Sequence, residues 1–107
     1  MPDLIAALAE PNRRRLLQLL GRGEQTVSLL ASHFTVSRSA ISQHLAVLAE
    51  AGLVTSRREG RFQHYRLKTE GMAALRAELD SFWTHELDLL VRDALTISRA
   101  SPSEGAP

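Results

Sequence analysis

The sequence predicts a mainly helical domain carrying one small β-hairpin, and three observations support this. Apolar residues recur at helical spacing through most of the chain. The apolar stretches open behind Pro11, Thr26, Ser37 and Thr69, and Gly21 and Gly52 follow two of them, which is the punctuation of helix ends. Between Gly52 and Lys68 the period shortens to that of strands on either side of Glu59-Gly60-Arg61, with Gly60 free to take a positive φ in a tight turn.

The elements follow in order. Asp3 to Ala9 reads as a short helix with Leu4, Ile5 and Leu8 on one side. Pro11 opens a second helix at its first position, where the missing N–H costs nothing. That helix, Asn12 to Leu20, turns Leu16, Leu17 and Leu20 inward and leaves Arg13 to Arg15 at the surface; Gly21 and Gly23 end it. Thr26 caps Val27 to Phe34, with Val27, Leu30 and Phe34 at helical spacing. Thr35-Val36 is a tight connection, and Ser37 caps the next helix, Arg38 to Ala51, which Gly52 closes. Its inner face is Ala40, Ile41, Leu45 and Leu48; its outer face is Arg38, Ser39, Ser42, Gln43 and Ala46.

The strands are Leu53 to Arg58 and Phe62 to Leu67. Thr69 then caps a long helix to about Ile97 with two apolar seams. One is Met72, Leu75, Leu79 and Phe82; the other is Trp83, Leu87, Leu90, Ala94 and Ile97. A helix apolar on two stripes packs on two things, here its own domain and a second subunit. Residues 1–99 are expected to form one domain, and residues 100–107, rich in Ser, Pro, Gly and Ala, a disordered tail.

Composition narrows the function classes. At 107 residues and 44% hydrophobic, the chain suits one globular core. No apolar run approaches the roughly 20 residues that span a bilayer, so no membrane partner is expected. The opening residues lack the pattern of a secretory signal, and Cys is absent, which removes disulfides and thiolate ligands. A cytoplasmic location is the expectation. The net charge of +1 conceals an asymmetry. Residues 37–67 hold Arg38, Arg57, Arg58, Arg61 and Arg66 against Glu50 and Glu59, a balance of +3, whereas residues 68–107 stand at −3. A basic middle beside an acidic C-terminal third suits a surface facing a polyanion.

Three helices, a turn, a fourth helix, a hairpin and a long helix make a winged helix-turn-helix of about five helices and a two-stranded wing. The major groove of B-DNA admits one helix, whose N-terminal residues meet base edges and must be polar and free of acid. Ser37, Arg38, Ser39, Ser42 and Gln43 meet that need, with His44 beside them for local packing or a phosphate contact. Gln suits adenine, Arg suits guanine, and Ser suits either base or phosphate. Arg57, Arg58, Arg61 and Gln63 set donors along the hairpin for backbone or minor groove. Double-stranded DNA is the expected partner. No Ser, His and acid set and no Gly-rich phosphate loop is present, so an enzyme is not expected. The rival reading is a winged helix that binds protein, whose mark would be an acidic or apolar outer face on the same helix.

The stretch Ser37-Arg38-Ser39-Ala40-Ile41-Ser42-Gln43-His44-Leu45-Ala46-Val47-Leu48 resembles the ArsR family of winged-helix repressors. So do Ala51-Gly52-Leu53-Val54, the Arg-rich hairpin ending Tyr65-Arg66-Leu67, and the opening from Leu8 to Leu17. The resemblance implies a homodimer built from the first and last helices, through Leu4, Ile5 and Leu8 with Phe82, Trp83, Leu87, Leu90 and Ala94. It also implies an operator with two-fold symmetry and repression that an inducer relieves.

Many members of the family sense metals. The Cys-x-Cys position of one metal site here reads Thr26-Val27-Ser28-Leu29-Leu30, which excludes thiolate sensing there. On the last helix His85 and Asp88 imitate half of another site, but Met72 and Ala74 stand where its first half would lie. A solvated helix face is the reading for His85 and Asp88; no metal and no cofactor are expected. Phe82-Trp83 resembles a metal-free subset of the family. The pair is read as dimer core, with a pocket for an unidentified small-molecule effector as the alternative. A repressor of its own gene without an inducer fits as well.

Overall fold

The structure is a computed structural model that describes residues 4–100. The expected tail, apart from Ala100, lies outside the described residues. The elements run α1 (Leu4–Ala7), α2 (Pro11–Leu20), β1 (Gln25–Thr26), α3 (Val27–Ala31), α4 (Arg38–Glu50), β2 (Val54–Glu59), β3 (Phe62–Leu67) and α5 (Thr69–Ala100). The chain divides into two compact units, one through Arg76 and one from Ala77. Among the described residues no helix is long and apolar enough to cross a membrane.

Local chemistry sets the helix starts. The Thr26 hydroxyl accepts from the Leu29 N–H at 3.2 Å and Ser37 from the Ala40 N–H at 3.1 Å, as the sequence reading expects. Pro11 is the first residue of α2, and its cap is the Glu10 carboxylate, which accepts from the Arg13 N–H at 3.1 Å. Sequence reasoning did not find that cap. α1 is shorter than expected, with Leu8 in the turn that follows it. Arg13 and Arg14 reach back to it: Arg13 Nε donates to the Ala7 carbonyl at 2.6 Å, and Arg14 to the Leu8 carbonyl at 3.0 Å. They satisfy carbonyls that a helix end leaves open.

α3 ends at Ala31 instead of Phe34. Ser32 ends it, with its N–H donating to Ser28 and Leu29 and its hydroxyl to Leu29. Phe34 leaves the helix to lie under the Arg15 guanidinium, 5.9 Å from the ring centroid. At the far end of α4, Gly52 takes φ +80° just past the Ala51 cap, a conformation that few other residues adopt. Thr69 is the first residue of α5 and not its cap, because the Met72 N–H already bonds to the Lys68 carbonyl.

The sheet has three strands, where sequence reasoning expected two. β1 pairs with β3 at Gln25–Tyr65 and Thr26–His64, giving the order β1-β3-β2, all antiparallel. Side chains alternate across it. Ser56 and Arg58 share a face with Gln63 and Tyr65; Arg57 and Glu59 share the other with Phe62 and His64.

The core of the first unit gathers Leu16, Leu30, Ile41, Leu45, Leu48 and Leu53, all fully buried, with Leu17, Leu19, Leu20, Val27, Val54 and Leu75 around them. Each such side chain stabilises the fold by roughly 1.5–3 kcal/mol, so the core fixes the inner face of α4 and, through it, the outer one. Leu19 is buried although sequence reasoning did not place it inside. Gly71 brings the first turn of α5 against the Gly52 carbonyl, closer than any side chain would allow. In the second unit α5 leaves Phe82, Trp83, Leu87, Leu89, Leu90, Val91, Leu95 and Ile97 exposed.

Candidate nucleic-acid interface

α4 follows α3 across a short connection and turns a polar face outward. Ile41, Leu45 and Leu48 anchor it at 0% exposure. That leaves Arg38, Ser39, Ser42, Gln43 and Ala46 in solvent, as the periodicity predicts. The first turn has no acidic residue, and none follows in the helix before Glu50. Helix geometry leaves the N–H groups of Arg38 and Ser39 without intrahelical acceptors, at the positive end of the helix dipole. Arg38 makes no ion pair among the described residues. Four positions, Arg38, Ser39, Ser42 and Gln43, thus offer hydroxyl, amide and guanidinium donors with no carboxylate among them to repel a phosphate.

His44 is placed differently from its neighbours. It is half-buried, with Nε2 3.7 Å from the Glu10 carboxylate at the start of α2.

The hairpin divides its cations. Arg57 Nη2 donates to Glu24 at 2.6 Å, its Nε to the same carboxylate at 3.3 Å, and its Nη1 to Glu59 at 2.6 Å. Hydrogen bonds from the Arg57 guanidinium hold Glu24 and Glu59 below the usual carboxylate range, and those carboxylates raise Arg57 in turn. His64 Nδ1 lies 3.8 Å from Glu24. On the opposite face Gln63 donates to the Ser56 hydroxyl at 3.0 Å. The side chains of Arg58 and Arg61 make no hydrogen bond or ion pair among the described residues. Phe62, beside Arg61 at the tip, is 57% exposed, a feature sequence reasoning passed over. It also missed Glu24, whose only signal is a charge 33 residues before Arg57.

The residues expected to dimerise fall into two groups. Leu4, Ile5 and Leu8 are half-buried, and Phe82, Trp83, Leu87, Leu90 and Ala94 are exposed on α5. The Phe82 and Trp83 rings meet edge to face, centroids 5.2 Å apart at 79°. His85 and Asp88 are exposed, and among the described residues no three His, Asp or Glu side chains gather as a metal group would.

A tight helix pair with an acid-free outer helix, backed by a β-hairpin, defines a winged-helix DNA-binding regulator. Comparison with known proteins gives the family. The model for the arsR family of bacterial regulatory proteins matches residues 10–56. The HTH-type transcriptional regulator Rv2034 of Mycobacterium tuberculosis is 47% identical over 81 residues, 76% of each chain. The transcriptional repressor SdpR of Bacillus subtilis is 38% identical over 69 residues, 64% of this chain and 77% of that one. A crystal structure described as a possible transcriptional regulator for arsenical resistance is 63% identical, with a TM-score of 0.79 over 87% of this chain and 97% of that one. The chain belongs to the arsR family: it is a winged-helix, DNA-binding transcriptional repressor and not an enzyme.

Proposed function

We propose that the chain represses transcription as a cytoplasmic homodimer on an operator of inverted-repeat symmetry. The observation that carries this reading is the exposed, acid-free face of α4. Two copies of α4, related by a two-fold axis, enter successive major grooves about 34 Å apart. Arg38, Ser39, Ser42 and Gln43 read base edges there, and Ser37 sits at the phosphate beside the helix start. Arg58, Arg61 and Gln63 of the wing reach the backbone or minor groove of the flanking turn. The exposed apolar row on α5, with the half-buried Leu4, Ile5 and Leu8, supports α1 and α5 as the dimer surface. The absence of Cys from the chain favours regulation that needs no thiolate-bound metal.

Selection of bound fragments from genomic DNA, followed by footprinting, tests this. Two protected half-sites one helical turn apart are expected, with Gln43→Ala losing preference for the selected sequence over random DNA. A single asymmetric footprint, or unchanged preference in Gln43→Ala, would refute the reading. The flanking genes in the selected fragments also report whether the chain controls its own promoter.

A further inference from the structure

The wing carries two adjacent arginines on opposite faces, and their surroundings differ. Arg58 shares its face with Gln63 and has no acid beside it. Arg57 sits between two carboxylates. It binds Glu24 through Nη2 and Nε and Glu59 through Nη1, so three of its five donor hydrogens are engaged. Where Glu24 lies in the chain gives this cluster its consequence. Glu24 immediately precedes β1, at one edge of the sheet, whereas Arg57 is on β2, at the other. Between them runs β3, and its His64 is the register partner of both Thr26 and Arg57. The ion pair therefore spans the sheet over His64, whose side chain is only 19% exposed beneath it.

We propose that Arg57 is a positioning residue, one that fixes the wing against the body of the domain and does not itself touch DNA phosphate. A two-stranded ribbon twists more freely than a wider sheet. The bridge from β2 to the residue ahead of β1 makes the three strands move as one on this face. Arg66 shares this face, so Arg57 and Arg66 stand against Glu24 and Glu59, and the face offers no net positive charge to a phosphate, which leaves that contact to Arg58 and Arg61. The inference rests on the reading above, in which α4 and the wing engage the operator together.

The two roles separate in the salt dependence of operator binding. A residue that touches phosphate lowers the slope of log K against log salt by about one per protomer when removed, and a positioning residue leaves the slope alone. Arg57→Gln is expected to weaken operator binding about threefold, the scale of an exposed ion pair, with the slope unchanged. Glu24→Gln is expected to weaken it too, although loss of a negative charge by itself strengthens attraction to DNA. In a Glu59→Gln background, Glu24→Arg with Arg57→Glu restores the pair in reversed polarity. It is expected to bind more tightly than Arg57→Glu alone in that background.

A slope reduced by about one per protomer in Arg57→Gln, tighter binding in Glu24→Gln, or no rescue by the reversed pair would overturn the proposal. Circular dichroism checks that each variant is folded, and the two neutral variants decide the question if the reversed ones are not. Gln43→Ala is measured alongside. If it keeps full operator preference, the docking reading falls and this inference with it; if it loses preference while the Arg57 variants misbehave, only the role of Arg57 is wrong.

Discussion

Gly71→Ala reverses the usual sign of a glycine-to-alanine change in a helix. Gly71 lies in the first turn of α5, where Ala is normally better by about 1 kcal/mol. Here a Cβ would stand 2.7 Å from the Gly52 carbonyl carbon, nearer still to its oxygen, and 3.2 Å from Leu53 Cα. Carbon atoms in ordinary contact are about 3.5–4.0 Å apart, so the helix start must retreat by roughly 1 Å. The obstacle is backbone and cannot rotate away, which places the cost near the upper end of the roughly 1–3 kcal/mol of overpacking. Subtracting the propensity gain leaves a net loss of about 2 kcal/mol. For a domain of this size that lowers Tm by roughly 10 °C. The assay is thermal unfolding followed by circular dichroism, with Gly21→Ala as control. At Gly21 the added Cβ meets the Gln18 carbonyl oxygen at 3.2 Å, which a shift of a few tenths of an ångström relieves, and a much smaller change is expected. A Gly71→Ala protein that melts at or above the wild-type temperature would refute the close approach of α5 to Gly52.

Other outcomes follow from the same structure. Ser37→Ala removes the hydroxyl that caps α4 and should cost about 1 kcal/mol, read as a lower urea midpoint at unchanged m-value. Arg61→Ala should weaken operator and random DNA alike and lower the salt slope by about one per protomer, where Gln43→Ala alters preference instead. Trp83→Ala with Leu90→Ala should shift the sedimenting species from dimer to monomer at a fixed concentration; an unchanged dimer would locate the interface elsewhere. Glu24 is held below the usual carboxylate range by Arg57, so its contribution is present at neutral pH and is lost only as pH falls through that depressed value. The small lead of wild type over Glu24→Gln in urea midpoint at pH 7 should vanish on acidification through that range; a lead that persisted would refute the pairing.

What was legible in the sequence was local. The hydroxyl caps at Thr26 and Ser37 act within three residues, and the inner face of α4 follows from a helical period, so residue order alone reveals both. The features that escaped depend on distant partners. Gln25-Thr26 has no strand pattern of its own and becomes β1 only because β3 runs beside it. Glu10 is a weak cap type by statistics and takes that place where Pro11 sets the helix start. Phe34 has helical spacing but leaves the helix for Arg15. Arg57 reads as one more open cation of the hairpin because half of its pairing comes from Glu24, which lies outside it.

Arg13 and Arg14 are turned back onto α1, Arg15 lies over Phe34, and Arg57 is held by carboxylates. Four of the ten arginines in the first unit are thus turned onto the fold, and the count overstates the cations left open to arbitrary DNA. Nonspecific affinity grows with the phosphates neutralised. On the proposed docking, nonspecific affinity is then set by the cations that remain open, Arg38, Arg58 and Arg61 among them, and not by the full count. On that docking, choice among sites rests more on the bases that α4 meets than on the number of arginines in the chain.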